Sequence, residues 1–359
     1  MLSVIGKNLK FTIFGESHGK CIGGVLDNIK PGLLINLEDL ESFMDRRRAK
    51  GEFKSKRHES DKVIFLSGFS ENKTMGTPLA FIIENKNQNS SDYDNLINTP
   101  RPSHADFVAN IKYKGHADLR GGGHFSGRLT APICVGGFFS LQELKEDYGV
   151  EIYSHLSSVG NICDISYRDI STCDFKNLMK KDIPMADDKK IEQVKIFLQR
   201  LMSQEDSIGS TVTCVVKGLK AGYGSNLFDN TRAKISSYIF SIPGTCGIEF
   251  GSGFDASISK GSENNDSFYY DDGQIKTKTN NCGGIQGGIT NGMDIVFKIH
   301  FKAPASIGKK QKTVNLISKK NEEIVIKGRH DPCIGLRALP VVESMAGLCV
   351  LDMIKSERI

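Results

Sequence analysis

The spacing of hydrophobic and polar positions predicts both strands and helices. Short alternating or continuous apolar runs predict strands at residues 9–14, 21–29, 62–66, 79–84, 211–216 and 293–301. Segments with apolar residues three and four apart, or with apolar residues on most sides, predict helices at residues 37–44, 127–144, 189–201 and 340–354. These elements come in mixed groups without a regular strand–helix–strand rhythm, which favours an α+β layer arrangement. No repeat, linker or low-complexity tract divides the chain, so residues 1–359 are predicted to form one domain.

Composition excludes several classes of protein. A chain of 359 residues with 39% hydrophobic residues can bury a sizeable core, and disorder is not expected. The longest apolar stretch, residues 131–139, is interrupted by one proline and two glycines, so no membrane span is predicted. The first residues carry no export signal. Nine cysteines occur without a Cys-x-x-Cys pair, so neither a metal site nor a disulfide framework is expected. Free cysteines fit a reducing compartment, so we expect a cytoplasmic location.

The positive charge is modest, but the arginines are clustered. Forty-seven Lys and Arg oppose 42 Asp and Glu, a balance that does not favour a nucleic-acid binder. Arginines concentrate between residues 46 and 128 and again near residues 329–337, whereas lysine predominates elsewhere. Because the guanidinium group grips phosphate and carboxylate bidentately, the two regions are predicted to form one site for a multiply anionic small molecule.

Residues 15–19, Gly-Glu-Ser-His-Gly, match the Gly-x-Ser-x-Gly elbow of serine hydrolases. That elbow requires a strand, a tight turn and then a helix, whereas the segment after it here is predicted to be a strand. Ser17 and His18 are also adjacent, a poor arrangement for a nucleophile and its base. The alternative is that His18 is an exposed imidazole in a hairpin turn, either a proton donor or an ordinary surface residue.

A second candidate site combines residues 101–106, Arg-Pro-Ser-His-Ala-Asp, with residues 120–128, Arg-Gly-Gly-Gly-His-Phe-Ser-Gly-Arg. Three consecutive glycines allow positive φ angles and close approach of a ligand to the backbone. They lead into the predicted buried helix, whose first N–H groups suit an anion, with Ser126 and Arg128 in its first turn. The simpler interpretation of residues 120–123 is a glycine-rich loop that binds no ligand. Neither a P-loop nor a Rossmann fingerprint occurs.

Four further segments are candidates. Glycine clusters at residues 247–253 and 283–288 could be tight bends or room for a flat ring. Residues 302–306 follow a strong strand and could hold a polar tail. Asp331 lies between cationic neighbours, where it should stay ionised as a potential base, although a turn former before Pro332 is an equal reading.

Taken together, the chain closely resembles the chorismate synthase family. Six family motifs occur in order, at residues 15–19, 45–48 (Asp-Arg-Arg-Arg), 101–106, 120–123, 283–289 (Gly-Gly-Ile-Gln-Gly-Gly-Ile) and 329–333 (Arg-His-Asp-Pro-Cys). The resemblance runs from about residue 6 to about residue 352. It implies helices sandwiched between antiparallel β-sheets, a homotetramer, and an anti 1,4-elimination of phosphate from 5-enolpyruvylshikimate 3-phosphate to give chorismate. Reduced FMN is implied as cofactor without net redox change, with NADPH as a possible reductant.

The resemblance also implies roles for individual residues. His18 would protonate the departing phosphate, His104 would stabilise the anionic reduced flavin, and Asp331 would act with flavin N5 in removing the ring proton. The substrate anions would be bound by Ser17, Arg46, Arg47, Arg48, Arg128 and Arg337. The flavin contacts would be His124, Phe125, Ser126, Pro243, Gly244, Gly287, Lys302, Ala303, Pro304, Ala305, Ser306 and Arg329, together with Arg47.

Three flavin segments depart from the family pattern. Many members read Arg-Ser-Ser-Ala-Arg-Glu after the glycine loop, where this chain reads His-Phe-Ser-Gly-Arg-Leu at residues 124–129. Lys-Pro-Thr-Ser-Ser has become Lys-Ala-Pro-Ala-Ser at residues 302–306, and Asn-Ala has become Pro243-Gly244. Side-chain contacts to FMN are therefore expected to change. The alternatives to the family function are a serine hydrolase and a non-catalytic flavin-nucleotide binding protein.

Overall fold

The computed structural model describes residues 3–48, 53, 61–86, 98–326 and 331–357. In sequence order, the strands of these ranges are β1 Val4–Ile5, β2 Lys10–Gly15, β3 Cys21–Asp27, β4 Val63–Ser67, β5 Phe69–Ser70, β6 Lys73–Thr74, β7 Leu79–Glu84, β8 Glu151–Val159, β9 Ile162–Cys163, β10 Ser210–Lys217, β11 Thr245–Phe250, β12 Phe268–Asp271, β13 Gln274–Thr277, β14 Ile285–Gln286, β15 Ile289–Thr290, β16 Ile295–Phe301, β17 Gln311–Asn315 and β18 Lys320–Ile324. The helices are α1 Leu37–Arg47, α2 Asp106–Lys112, α3 Thr130–Tyr148, α4 Thr172–Leu178, α5 Asp188–Ser203, α6 Thr231–Ile239, α7 Gly261–Asn264 and α8 Gly335–Ser356.

Two antiparallel five-stranded sheets enclose the central helices. The first sheet has the order β1-β2-β3-β7-β4 and the second the order β11-β16-β10-β8-β9. Helix α3 packs on β2 and β3 of the first sheet, α8 packs on β8 and β10 of the second, and α3 and α8 pack on each other. The result is a sandwich of helices between antiparallel sheets, so the α+β fold predicted for the chain is confirmed.

Two consecutive glycines in α3 explain how closely these layers approach. A Cβ atom on Gly136 would lie 2.6 Å from the ring of Phe11 in β2. A Cβ atom on Gly137 would lie 2.1 Å from the Cβ atom of Ser344 in α8. Because each glycine faces a different layer, α3 contacts the first sheet and α8 at once, with most of its residues buried.

The ends of α1 and α8 carry several of the candidate site residues. The Asn36 side chain accepts a hydrogen bond from Glu38 N and begins α1, as the sequence predicts, and α1 ends with Arg46 and Arg47. The prediction that the last helix begins at Pro340 was wrong, because α8 begins at Gly335. Residues 335–340 are held by packing, with Gly335 against Ser210 of β10, and this packing outweighs the missing N–H of the proline.

Candidate active site

The glycine loop, residues 120–123, requires glycine at three consecutive positions. Gly121, Gly122 and Gly123 have φ angles of 61°, 99° and 53°, which residues with a side chain rarely adopt. A Cβ atom on Gly123 would also lie 1.8 Å from the carbonyl oxygen of Asp118. The loop is therefore a tight backbone turn, as the sequence predicts. The prediction that the helix begins at Gly127 was wrong, because residues 127–129 form a separate 3₁₀ turn and α3 begins at Thr130.

The loop is bonded to the His18 turn, residues 16–20, which connects β2 and β3. Ser17 N donates to the carbonyl oxygen of Gly123 at 3.2 Å, and Ser17 Oγ donates to that of Arg120 at 3.1 Å. His124 Nδ1 donates to the carbonyl oxygen of Gly15 at 2.9 Å, because a carbonyl can only accept. These contacts fix the turn and the loop as one unit.

His18 lies inside this unit rather than on the surface. The prediction of an exposed imidazole was wrong, since His18 is only 8% exposed. Its ring is covered by Gly121, on which a Cβ atom would lie 2.2 Å from Cε1 of His18. A buried imidazole whose position is fixed by backbone is better placed to deliver a proton to one atom than a mobile surface residue.

The geometry around Ser17 disagrees with a serine hydrolase. Ser17 Oγ lies 3.3 Å from Nδ1 of His18, yet its single proton is directed to the Arg120 carbonyl. His18 Nδ1 is therefore the donor in this contact, the reverse of what a general base requires. The turn is also followed by β3 and not by a helix, so the nucleophile elbow is absent from it.

His104 is held by a buried ion pair. Nε and Nη2 of Arg101 donate to the two carboxylate oxygens of Asp106 at 2.7 Å each, and His104 Nδ1 donates to Asp106 Oδ1 at 2.6 Å. Burial acts to raise the pKa of Asp106, but the bonds from Arg101 and His104 outweigh it and hold that pKa well below its usual range. His104 thus faces a permanent negative charge.

The other edge of His104 faces the glycine loop. A Cβ atom on Gly122 would lie 3.4 Å from Cε1 and 3.5 Å from Nε2 of His104. Gly121 and Gly122, adjacent in the chain, therefore contact the two histidines that the sequence singles out, His18 and His104.

Two of the expected flavin segments meet next to the His104 segment. Lys302 Nζ donates to the carbonyl oxygen of Ser103 at 2.7 Å, and Lys302 N donates to that of Gly244 at 3.0 Å. Arg101 Nη1 donates to Ser306 Oγ at 3.4 Å. Residues 243–244 and 302–306, distant in sequence from residues 101–106, thus border the same region.

The arginines divide into two groups. Arg47 and Arg128 both form ion pairs with Asp61, whose side chain is fully buried. Burial acts to raise the pKa of Asp61, but the two guanidinium groups outweigh it and lower that pKa. Arg337 donates from Nε to the carbonyl oxygen of Arg47 at 2.9 Å. We call Arg47, Arg128 and Arg337 the arginine cluster.

Asp331 joins this cluster through Arg337, whose Nη1 lies 2.7 Å from Asp331 Oδ2. The side chain of Asp331 is 16% exposed, so the carboxylate lies at the edge of the interior next to the N-terminus of α8. The sequence predicts cationic neighbours for Asp331, and Arg337 is one of them. The other expected neighbour, Arg329, lies outside the described residues.

Arg46 and Arg48 make their shortest contacts with different carboxylates. Arg46 makes a bidentate pair with Glu343 of α8, at 2.7 Å for each bond, and Ser154 Oγ donates to the same carboxylate at 2.5 Å. Arg48 pairs with Asp45 at the end of α1, and its Nε also lies 3.9 Å from Asp61 Oδ2, next to the arginine cluster. The Arg46–Glu343 pair joins α1 to α8. The proposed binding of substrate by Arg46 and Arg48 stays a prediction.

The remaining expected flavin residues fall in two places. Ser126 caps the first turn before α3 by accepting from Arg128 N at 3.2 Å, and Phe125 packs edge-on against Tyr113. Gly287 lies elsewhere: the neighbouring Gly288 carbonyl accepts from Thr231 N at the start of α6, whereas Gly244 follows the end of that helix. Within one chain, therefore, Gly287 is not brought together with residues 243–244.

Sequence reasoning missed Asp61, Asn85 and the role of Asp106. Asn85 accepts from Arg128 Nε at 3.2 Å and donates to the carbonyl oxygens of Glu16 and Gly19. A single Asp or Asn next to a strand carries no local signal for such contacts. The position of Asp106 two residues after His104 was the one usable hint.

Comparison with known proteins identifies the family of this chain. The family model described as chorismate synthase matches residues 9–354. A chorismate synthase of Parabacteroides distasonis is 42% identical over 99% of this chain and 99% of its own length. One of Christiangramia forsetii is 44% identical over 97% of this chain and 96% of its own. The chain belongs to the chorismate synthase family.

A solved structure, described as the crystal structure of chorismate synthase, extends the similarity to the fold. The two structures superpose with a TM-score of 0.75 at 25% sequence identity, and the match covers 98% of this chain and 92% of the solved chain. As a chorismate synthase family member the chain is a carbon–oxygen lyase of aromatic biosynthesis. The two alternatives, a serine hydrolase and a non-catalytic flavin-nucleotide binding protein, have no support. Within the described ranges, no helix is both long and apolar enough to cross a membrane.

Proposed function

We propose that this chain eliminates phosphate from 5-enolpyruvylshikimate 3-phosphate in the anti 1,4 sense, and that His18, His104, Asp331 and the arginine cluster carry the reaction. The observation that supports this most strongly is the glycine loop, which contacts His18 through Gly121 and His104 through Gly122. Two imidazoles with different partners are thereby held against one tight turn. Such an arrangement suits two separate tasks in one reaction.

The arginine cluster suits the charge of the substrate. Two carboxylates and a phosphate give roughly −3.5 to −4 at neutral pH. Arg47, Arg128 and Arg337 carry three positive charges. Asp61 offsets one while holding two of the side chains in place, and Asp331 offsets another through its pair with Arg337. Because guanidinium groups that are already oriented lose little entropy on binding, the cluster favours planar, bidentate anions.

Proton transfer is divided between two groups. His18 gives a proton to an oxygen of the departing phosphate, which lowers the free energy of expelling it. A carboxylate oxygen of Asp331 receives the ring proton, and Arg337 keeps this carboxylate in position through its 2.7 Å contact. The proton gained by phosphate and the proton lost by the ring balance the elimination.

The residues near His104 fit a flavin nucleotide. Phe125, exposed and packed on Tyr113, offers an apolar face, whereas Lys302 and Ser306 border the same segment with a cation and a hydroxyl. We assign to reduced FMN residues 124–126, 243–244 and 302–306, with His104 beside the ring, where a protonated imidazole favours the anionic form. Gly287, Arg329 and Arg47 stay in the proposed set. When bound, reduced FMN supplies electrons that the elimination does not consume.

Several broader properties are part of the proposal. Residues 1–359 act as one domain, because the main core cluster draws residues from both sheets and from α3 and α8. A homotetramer is supported by large exposed apolar side chains, among them Phe228, Phe254, Ile258 and Tyr270 at 74–88% exposure. Cytoplasmic location is supported by the described cysteines, all free thiols. No membrane or nucleic-acid partner is proposed.

One anaerobic assay tests the function. Purified chain, chemically reduced FMN and 5-enolpyruvylshikimate 3-phosphate are mixed, and both phosphate and chorismate are measured. We expect equal amounts of the two products with reduced FMN and none with oxidised FMN. Phosphate release without chorismate would indicate simple hydrolysis and overturn the proposal. Replacing the chemical reductant by NADPH then tests whether the chain reduces its own flavin: bleaching of the flavin absorbance would support it.

A further inference from the structure

Asn85, the residue that follows β7, holds the His18 turn with three hydrogen bonds. Its backbone N–H donates to the carbonyl oxygen of Lys20 at 3.2 Å. Its side-chain Nδ2 donates to the carbonyl oxygens of Glu16 and Gly19, at 3.0 and 2.9 Å. His18 lies between these two carbonyls in sequence, so the side chain of Asn85 spans the turn that carries it.

The same carboxamide also contacts the arginine cluster. Asn85 Oδ1 accepts from Arg128 Nε at 3.2 Å, while Nη1 of Arg128 pairs with Asp61. The amide orientation follows from these partners, because a flipped amide would place its oxygen against two carbonyls and its NH₂ against a guanidinium. Asn85 therefore has a donor end on the His18 turn and an acceptor end on Arg128.

We propose that Asn85 is a positioning residue that keeps His18 and Arg128 in register on one anionic group, the phosphate of the substrate. This inference rests on the proposed function. A proton donor and an anion-binding side chain that serve the same group must keep a fixed separation, and a shift of about 1 Å costs about 10²-fold in rate. The single carboxamide of Asn85 hydrogen-bonds both the His18 turn and Arg128, so it couples the two directly.

The variant Asn85→Asp separates the hydrogen-bonding role of Asn85 from the space that its side chain fills. It keeps the size of the side chain and an acceptor for Arg128, but it removes both donors and places negative charge against two carbonyl oxygens. We expect kcat to fall 10- to 100-fold while KM for the substrate changes less than threefold. The matched control is Asn28→Asp, which removes one side-chain donor to a carbonyl, that of Asn8, near the C-terminal end of α8. We expect wild-type kcat for the control.

A double-mutant cycle tests whether Asn85 acts through His18. If it does, Asn85→Asp changes the residual rate of His18→Ala less than twofold, because the histidine on the disturbed turn is gone and the acceptor for Arg128 is kept. A full 10- to 100-fold further loss in that background would overturn the proposal. So would equal kcat values for Asn85→Asp and Asn28→Asp.

A measurement without turnover makes the test independent of the proposed reaction. NMR of ring-labelled histidine follows the His18 signals while inorganic phosphate is titrated into the full-length chain. We expect phosphate to shift the His18 signals in the wild type, and the shift to fall by half or more in Asn85→Asp with little change in half-saturation. An identical His18 response in both proteins would overturn the role of Asn85. Absence of chorismate formation by the wild type, by contrast, would overturn the proposed function alone.

Discussion

Gly121 lies directly against His18, so closely that a Cβ atom at residue 121 would be 2.2 Å from Cε1 and 2.4 Å from Nδ1 of the imidazole. Its φ angle of 61° independently disfavours a side chain. Residue 121 must therefore be glycine for two reasons: the turn requires a positive φ angle, and the imidazole of His18 leaves no space for a Cβ atom. The glycine loop sets the position of the proposed proton donor by contact.

Gly121→Ala should therefore displace His18 and lower kcat by 10²-fold or more, because proton transfer depends on donor geometry. The matched control is Gly127→Ala in the same segment, where a Cβ atom would meet nothing within 4 Å and φ is not positive. We expect near wild-type kcat for the control, and a lower melting temperature for Gly121→Ala than for Gly127→Ala because a side chain at φ +61° is strained. Turnover is therefore compared at a temperature where both variants are folded. Equal turnover of the two variants would show that His18 is not held by the loop.

The helix cap at Asn36, the alternating strands and the glycine turn were predictable because each depends on residues close in sequence. Helix α1 begins where a polar cap precedes apolar residues three and four apart, and the structure agrees. Motif order along the chain likewise indicated which segments would form the site. Local pattern and resemblance together therefore gave the layers and most of the candidate residues.

The pairings inside the site were not predictable, because they join residues far apart in sequence. Asn85 and Arg128 are 43 positions apart, and Arg46 and Glu343 are 297 apart. The burial of His18 also comes from a distant segment, the glycine loop. Helix α8 begins before Pro340 because of packing against β10, which no local propensity encodes.

Arg128→Lys should weaken substrate binding about tenfold or more, and the loss should persist at moderate salt. Lysine keeps the charge but cannot contact Asp61 and Asn85 with separate nitrogens of a planar fork. Substrate dissociation constants at 50 and 300 mM salt check this. Arg168→Lys, at an exposed position, serves as the control and should bind as the wild type does. A defect confined to low salt would show that Arg128 contributes only a screened charge.

Asp331→Asn should lower kcat by at least 10²-fold while binding of oxidised FMN and of substrate changes less than severalfold. The amide has the same size but cannot take up a proton, and it weakens the contact with Arg337. Rapid-mixing measurement of product formation, with equilibrium binding alongside, separates the two effects. Asp188→Asn, which breaks an exposed pair with Lys181, should leave kcat unchanged. Substantial turnover by Asp331→Asn would remove Asp331 from the proton transfer.

His155 on β8 predicts a pH dependence of stability separate from the active site. It is fully buried beside Phe175, and neither ring nitrogen has a hydrogen-bond partner within the described part of the chain. Burial lowers its pKa from 6.5 to about 4, against a smaller opposing effect of Asp164. The folded chain therefore keeps His155 neutral at pH values where the unfolded chain protonates it.

The sign of the effect follows from the proton count. Well above pH 6.5 neither state binds the proton, so His155 contributes no pH dependence there. Between pH 6.5 and about 4 the unfolded state binds one proton more, and the free energy of unfolding falls with falling pH, by about 3 kcal/mol in all. Asp61 and Asp106, with lowered pKa values, lose their contribution only below the usual range of aspartate, outside this window.

Urea unfolding at pH 6.5, 5.5 and 4.5, at one protein concentration, measures this contribution. We expect the free energy of unfolding of the wild type to fall more steeply than that of His155→Phe, by up to about 1.4 kcal/mol per pH unit. His155→Phe keeps an aromatic ring against Phe175 and has nothing to titrate. His116→Phe, at an exposed position, should retain the wild-type slope. Parallel slopes for the wild type and His155→Phe would mean that His155 takes up its proton without unfolding, and its burial would then not set the acid stability of the fold.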